Sequence, residues 1–232
     1  GGHASTPPAH TPVGVLAQAV TRVENHPFPF TLTAPAAQMF DTLGRRSTFL
    51  YRLIFANLWC FKPVLNLLCK KSGGELNALV RTTVAFTQMQ GSAASNVLPP
   101  DAWVGANLRL IGNETTQSAQ AYLRKVIHDD RVQIEMVHGM NPSPISRTDD
   151  EPFARLSRAI RSTWTDAIVS PYLMLACSDS RHYGAISDHV YRFSAMALSK
   201  EERGLIHAND ERVPVATIVK TVAFYQRLIG MC

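Results

Sequence analysis

The sequence predicts an α+β domain, an antiparallel sheet with helices on one face and a helical insert, followed by the tail of a larger α/β sheet. Three observations predict this. Residues 1–137 carry strand and helix signals in the order β-α-(helical insert)-β-β-α-β, an order that suits an antiparallel sheet. Asn141-Pro142-Ser143-Pro144 then breaks the chain as a hinge. Beyond it lie two strand-like and two helical stretches, too few for a complete α/β domain of ordinary size. The expected division is therefore 1–137 and 138–232.

Each element has its own signal. Residues 1–8 read as the end of a strand running into Pro7-Pro8. Thr11-Pro12 opens a helix in which Val13, Leu16, Ala17, Val20 and Val23 recur at helical spacing, and Pro27 and Pro29 stop it. Residues 35–71 read as helical pieces broken by Gly44 and Pro63. After Gly73-Gly74 the character changes: residues 81–89 (R-T-T-V-A-F-T-Q-M) are rich in β-branched side chains and read as a strand. Asn96-Val97-Leu98 and the Pro99-Pro100 turn follow, then an alternating strand at 102–110. Thr115 or Thr116 caps a helix through His128, with Ala119, Tyr122, Leu123, Val126 and Ile127 on its inner face. Residues 131–137 alternate as a strand. In the second part, 151–164 is helical, 168–175 and 190–195 are strand-like, 198–213 is a polar loop, and Pro214 opens a final helix through Leu228.

Composition narrows the function classes. Of the 232 residues 46% are hydrophobic and 18% charged, and the formal charge is +5, which is a globular profile rather than a disordered one. Basic residues are scattered, with only short pairs such as Arg45-Arg46 and Lys70-Lys71; no basic stripe with interleaved aromatics speaks for nucleic acid. Cys60, Cys69, Cys177 and Cys232 lie at irregular spacings, so neither a zinc knot nor a disulfide framework is indicated. The most apolar stretch, 49–68, contains Arg52, Lys62 and Pro63, so it offers no uninterrupted run of about 20 apolar residues to span a bilayer. Helices packed in a lid or against a partner explain it. Gly1-Gly2-His3 has no initiator Met and no signal-peptide pattern follows, which leaves localisation open.

The chemistry-bearing residues fall in short polar motifs. His207 lies in L-I-H-A-N-D-E-R, where Asp210 and Glu211 either orient an imidazole for a metal or simply serve as helix N-terminal charges. Ser178-Asp179-Ser180-Arg181-His182-Tyr183 follows an apolar stretch, the place where open α/β sheets carry their sites and where ordinary turns also occur. His3 sits in G-G-H-A-S-T-P-P, Asn96 in S-N-V-L-P-P, and Arg109 in the strand thirteen residues later. An Asn amide and an Arg guanidinium suit a carboxylate or a developing oxyanion. Singly, each of these is commonplace.

Taken in order, the five motifs resemble the aminoacylase and carboxypeptidase S family of two-zinc metallopeptidases, the M20 family, which also contains succinyl-diaminopimelate desuccinylase. The likeness is greatest to the carboxypeptidase S-like N-acyl amino acid hydrolases, which carry a helical lid insert like residues 35–71, and it spans essentially the whole chain. The resemblance implies a lid and dimerisation domain at 1–137 and the C-terminal portion of an α/β zinc-hydrolase domain at 138–232. It makes His207 a zinc ligand and His3 the lid histidine that reaches the neighbouring subunit's site and stabilises the oxyanion. Asn96 and Arg109 become holders of the substrate carboxylate. Asp179 and Arg181 fall in the family's T-D-x-R segment, with Ser178 for Thr, and Ala208 stands where close relatives often have Gly.

The resemblance also implies a deficit. The family's H-x-D motif, bridging Asp, Glu-Glu pair and a further acidic ligand precede the lid, and these 232 residues do not contain them. A catalytic zinc centre needs three protein ligands and an open position, and the chain supplies one. The expectation is an N-acyl amino acid or small-peptide amidohydrolase with two zinc ions in its complete form, a homodimer through the lid, inactive as these residues alone. A non-catalytic dimerisation or binding module, or a partial sequence, are the alternatives.

Overall fold

The computed structural model describes all 232 residues, Gly1–Cys232, and divides them between two units, Gly1–Ala37 with Leu53–Pro142, and Gln38–Arg52 with Ser143–Cys232. The elements are a mixture of many helices with two small antiparallel sheets.

In the first unit β1 (Gly2–His3) is followed by α1 (Pro12–Asn25). Thr11 caps α1 as its sequence requires: the backbone is extended and the hydroxyl accepts from the Gly14 amide at 3.1 Å. Then come α2 (Ala34–Arg45) and α3 (Phe49–Ala56), of which Gln38–Arg52 belongs to the second unit, and, back in the first, α4 (Leu58–Ser72) and the single turn α5 (Gly74–Ala78). Here the structure differs from expectation. Gly44 lies inside α2, and Pro63 lies inside α4 without ending it. The break falls at 46–48, where the Arg46 and Ser47 amides turn back to Leu43 and Gly44 carbonyls and the Ser47 hydroxyl donates to Leu43. Pro63 costs α4 one backbone bond, and burial of Leu65 and Cys69 on the helix's inner face holds it nonetheless.

The strands β2 (Thr83–Gln90) and β4 (Trp103–Arg109) pair antiparallel, Thr83 opposite Arg109 and Gln90 opposite Trp103, with a bulge between Phe86 and Gln88. Between them β3 (Val97–Leu98) pairs instead with β1. α6 (Thr116–Ile127) is closed by a reciprocal box in which the Thr115 hydroxyl accepts from the Ser118 amide at 3.1 Å and the Ser118 hydroxyl accepts from the Thr115 amide at 2.8 Å. Ala19 and Val23 of α1, Phe28, and Ala119, Leu123 and Ile127 of α6 form the core, and Val84, Phe86, Leu108 and Leu110 pack on it from the sheet. The period-two spacing of those four sheet residues puts them on one face. Helices thus cover one side of β2-β4, and each fully buried Leu, Ile, Val or Phe in that seam contributes about 1.5–3 kcal/mol.

Residues 131–137, read as a strand, form no ladder. Their alternation is real, since Val132 and Ile134 turn toward the same core, but no neighbouring strand takes up their backbone groups.

The second unit is built on α7 (Glu151–Thr163) and α9 (Val215–Ile229), with α8 (Lys200–Arg203) as a single capped turn between them. Leu156, Ala159 and Ile160 of α7 meet Phe224 of α9 and Ala195, and Trp164, Val169 and Tyr191 lie against them. The expected strands at 168–175 and 190–195 are absent as strands. Val169, Tyr191 and Ala195 still point into the core, so the sequence pattern reported the buried side chains correctly and the pairing partner wrongly.

Candidate functional site

The β1–β3 ladder sets the backbone segments that carry His3 and Asn96 side by side, and no hydrogen bond joins their side chains. His3 stands opposite Val97, and the Ala4 amide donates to the Asn96 carbonyl at 2.9 Å. Gly1 has a purpose here: a Cβ on it would lie 2.8 Å from the Leu98 carbonyl oxygen, a distance real Cβ atoms do not keep, whereas one on Gly2 would meet open space. The His3 ring is oriented locally. Its Nδ1 accepts from the Ser5 amide at 3.2 Å and lies 2.8 Å from the Ser5 hydroxyl. An accepting Nδ1 places the proton of the neutral ring on Nε2, leaving an exposed N–H donor.

Arg109 is the last residue of β4, exposed, opposite Thr83 on the other ladder. The β1–β3 pairing that sets the His3 and Asn96 segments side by side does not include it.

The remaining predicted residues belong to the second unit. Asp179 and Arg181 lie in a 3-10 turn, Asp179–Ala185, that opens with Ser178 accepting from the Ser180 amide at 3.3 Å. Asp179 is exposed, and Arg181 folds along its own segment, with Nη1 3.0 Å from Cys177 Sγ and Nε 3.2 Å from His182 Nε2. His207 is exposed in the loop between α8 and α9, with its backbone in the left-handed region (φ 65°). A non-glycine residue takes that conformation at some cost, and the Ala208 amide bonded to the Leu205 carbonyl at 2.9 Å fixes the turn around it.

These residues do not assemble a metal centre. No group of three or more His, Cys, Asp or Glu side chains is placed to hold a metal ion, and three protein ligands are the usual minimum for catalytic zinc. The residues present do not fit that group on their own.

A different polar cluster escaped the sequence reading. Asp150, the N-cap of α7, accepts from the Phe153 amide at 3.4 Å, from the Tyr191 hydroxyl at 3.2 Å, and lies 2.7 Å from His189 Nε2. Burial pushes its carboxyl up, but these bonds, led by His189, outweigh it and hold the group below the usual carboxylate range. Tyr191 also donates to the Arg147 carbonyl at 2.7 Å, and burial with the nearby Asp150 charge pushes its phenol up to about 12. Only the D-D-E-P cap signature at 149–152 signalled any of this in the sequence. The adjacent hollow, lined by Pro144, Ser146, Arg147, Asp188 and Arg192, measures about 160 Å³, well below the ~300 Å³ at which small-molecule pockets begin. The cluster secures a helix start.

Residues 7–231 match the model of peptidase family M20/M25/M40. Among curated proteins, a probable carboxypeptidase S-like protein 2 of Dictyostelium discoideum is 34% identical over 99% of this chain and 44% of its own length. The N-fatty-acyl-amino acid synthase/hydrolase PM20D1 of Xenopus tropicalis is 35% identical over 98% of this chain and 45% of its own, and the mouse protein of that name is 32% identical over 96% and 45%. The chain therefore spans about half the length of the curated relatives it matches. No solved structure matches it. With the family model covering nearly all of its length and relatives similar from end to end, the chain belongs to peptidase family M20/M25/M40.

Proposed function

We propose that these residues are the lid and dimerisation domain (1–137) and the C-terminal catalytic portion (138–232) of a zinc-dependent amidohydrolase that cleaves N-acyl amino acids or small peptides at the amide bond. The observation that carries this reading is the His3 ring, fixed in the strand that pairs with the segment after Asn96 and oriented by Ser5 so that it leaves an exposed Nε2–H donor. Such a donor suits the negative charge that develops on a carbonyl oxygen when an amide is attacked. In this reading His3 acts on the site of a partner subunit, Asn96 and Arg109 hold the substrate carboxylate, and Asp179 and Arg181 border the site. His207 supplies one ligand to a two-zinc centre whose other ligands and general base come from outside these 232 residues. By themselves the 232 residues do not hydrolyse substrate.

The alternative reading is a dimerisation or binding module without catalysis. One experiment separates the two. The purified chain is assayed with zinc and an N-fatty-acyl amino acid, alone and co-expressed with the complementary segment of the Xenopus relative, following release of free amino acid. The hydrolase reading expects no turnover from the chain alone, turnover with the complement, and loss of that turnover by ~100-fold or more in His3→Ala and in His207→Ala. Complementation that is indifferent to both histidines, or turnover by the chain alone, defeats the assignment. Stable dimers with no turnover under any arrangement favour the binding module.

A further inference from the structure

The helix α4 has an outward face that a water-facing helix does not ordinarily show. Its inner side is conventional: Leu65 and Cys69, one turn apart, are 5% and 1% exposed. On the other side Trp59 is 84% exposed and Leu67 66%, with Val64 and Leu68 also exposed. A surface helix normally turns charged and polar residues that way. The charged residues α4 does carry are all of one sign, Lys62, Lys70 and Lys71. The preceding helix α3 has the same composition, with Phe49, Leu50 and Tyr51 exposed and Arg52 beside them in sequence.

The sign of the charge decides between occupants. Residues Leu58–Ser72 hold three Lys and no Asp or Glu, and Lys70 and Lys71 are exposed. A second copy of the same face would set lysines against lysines, which opposes self-association. An anionic surface is what such a face complements. Exposed Trp and Leu interleaved with Lys is the composition of a helix lying in a lipid interface, where the indole sits at headgroup depth and long cationic side chains reach phosphate. No single helix of the chain is long and apolar enough to cross a membrane; α3 and α4 reach that length and composition only as a pair bent by 114°, and the contact in question is that of the α4 face with the surface.

We propose that the outward face of α4 docks on an anionic lipid surface, Trp59 and Leu67 entering the interface and Lys70 and Lys71 meeting the headgroups, while Lys62, whose ammonium lies over the Phe30 ring at 5.6 Å, belongs to the inner side. The test is co-sedimentation of the chain with vesicles of phosphatidylcholine alone and of phosphatidylcholine mixed with phosphatidylserine, at low and high sodium chloride. Binding is expected on the mixed vesicles and weakened by salt, with a blue shift of tryptophan fluorescence that disappears in Trp59→Ser. Each Lys→Gln change at 70 or 71 lowers partitioning about fivefold, the loss of ~1 kcal/mol of attraction per cation, whereas Lys220→Gln in α9 leaves it unchanged. Trp59, Lys70 and Lys71 are exposed, so these variants retain the fold, which circular dichroism checks. Absence of binding to the mixed vesicles overturns the proposal, as does equal loss in Lys220→Gln. So does a concentration-dependent dimer that Trp59→Ser abolishes while vesicles stay unbound, since the face would then serve a second copy.

Discussion

Arg81 shows how much one side chain can organise in this chain. It is 2% exposed, yet its partners include no carboxylate: Nε donates to Asn77 Oδ1 at 2.7 Å, Nη1 to the Phe28 carbonyl at 2.8 Å, and Nη2 to Asn66 Oδ1. Burial lowers its affinity for the proton, though a guanidinium stays charged throughout the accessible pH range. One planar fork therefore ties α4, α5 and the Phe28 turn to the start of β2. Removing it leaves the buried Phe28 carbonyl without its donor, at roughly 1–3 kcal/mol, and deprives the half-buried Asn66 and Asn77 amides of theirs. Arg81→Met, which keeps the bulk, should destabilise the chain by roughly 1–3 kcal/mol in urea unfolding, and Arg81→Lys should not restore it because an ammonium lacks the fork. Cys69 gives an independent readout. It is buried, and that burial pushes its thiol up, so it should react slowly with a thiol reagent while Cys60, Cys177 and Cys232 react at once. In Arg81→Met the slow phase should quicken; an unchanged slow phase together with unchanged stability would show the fork to be dispensable. Tyr191 makes a prediction about pH. Its folded value of about 12 lies above the ~10 of an unfolded chain. A group raised in this way stabilises the fold below the unfolded value and loses that contribution as pH rises through the folded one. The urea midpoint should fall between pH 10 and about 12, and in Tyr191→Phe the fall over that window should be smaller. Parallel curves would mean that the Tyr191–Asp150 contact is not made in solution.

At the scale of elements, what could be read from the sequence depended on how local each signal is. The starts of α1, α6 and α9 follow from caps and prolines within a few residues, and the structure places them at Pro12, Thr116 and Val215. β2 and β4 were legible because their β-branched residues also have each other as ladder partners. Gly44 and Pro63 misled because local breaking power is weaker than a buried face: α4 accepts one missing bond where Leu65 and Cys69 pack. The alternation at 131–137 identified residues that face the core without supplying the second strand a ladder needs. Site residues fared similarly. The pairing of the His3 strand with the segment after Asn96 depends on backbone registered across more than ninety positions, which no spacing rule reaches, and it was not expected from the sequence. Arg81 left no sequence signal at all, since an arginine before a β-branched run is ordinary until Asn66 and Asn77 close over it.

At the scale of the whole molecule, the unpaired segments and the incomplete donor set lead to the same expectation. Residues 168–175 carry apolar side chains suited to a sheet, and Val169 is packed into the α7–α9 core, yet none of their backbone groups enters a ladder. Backbone donors and acceptors near a core ordinarily find partners. The chain spans about half the length of its curated relatives, and the hydrolase reading assigns the missing zinc ligands to residues outside it. Both deficits are then made good by the same addition. Amide hydrogen exchange tests this without relying on catalysis. In the chain alone, amides at 168–175 should exchange within the first seconds, while those in the middle of α7 and α9 are protected. With the complementary segment of the Xenopus relative bound, the 168–175 amides should gain protection comparable to the helices, because a strand paired on its edge opens only with its sheet. If the complement binds and restores turnover while 168–175 stay unprotected, the segment is an irregular connection and its strand-like pattern reports side-chain burial alone.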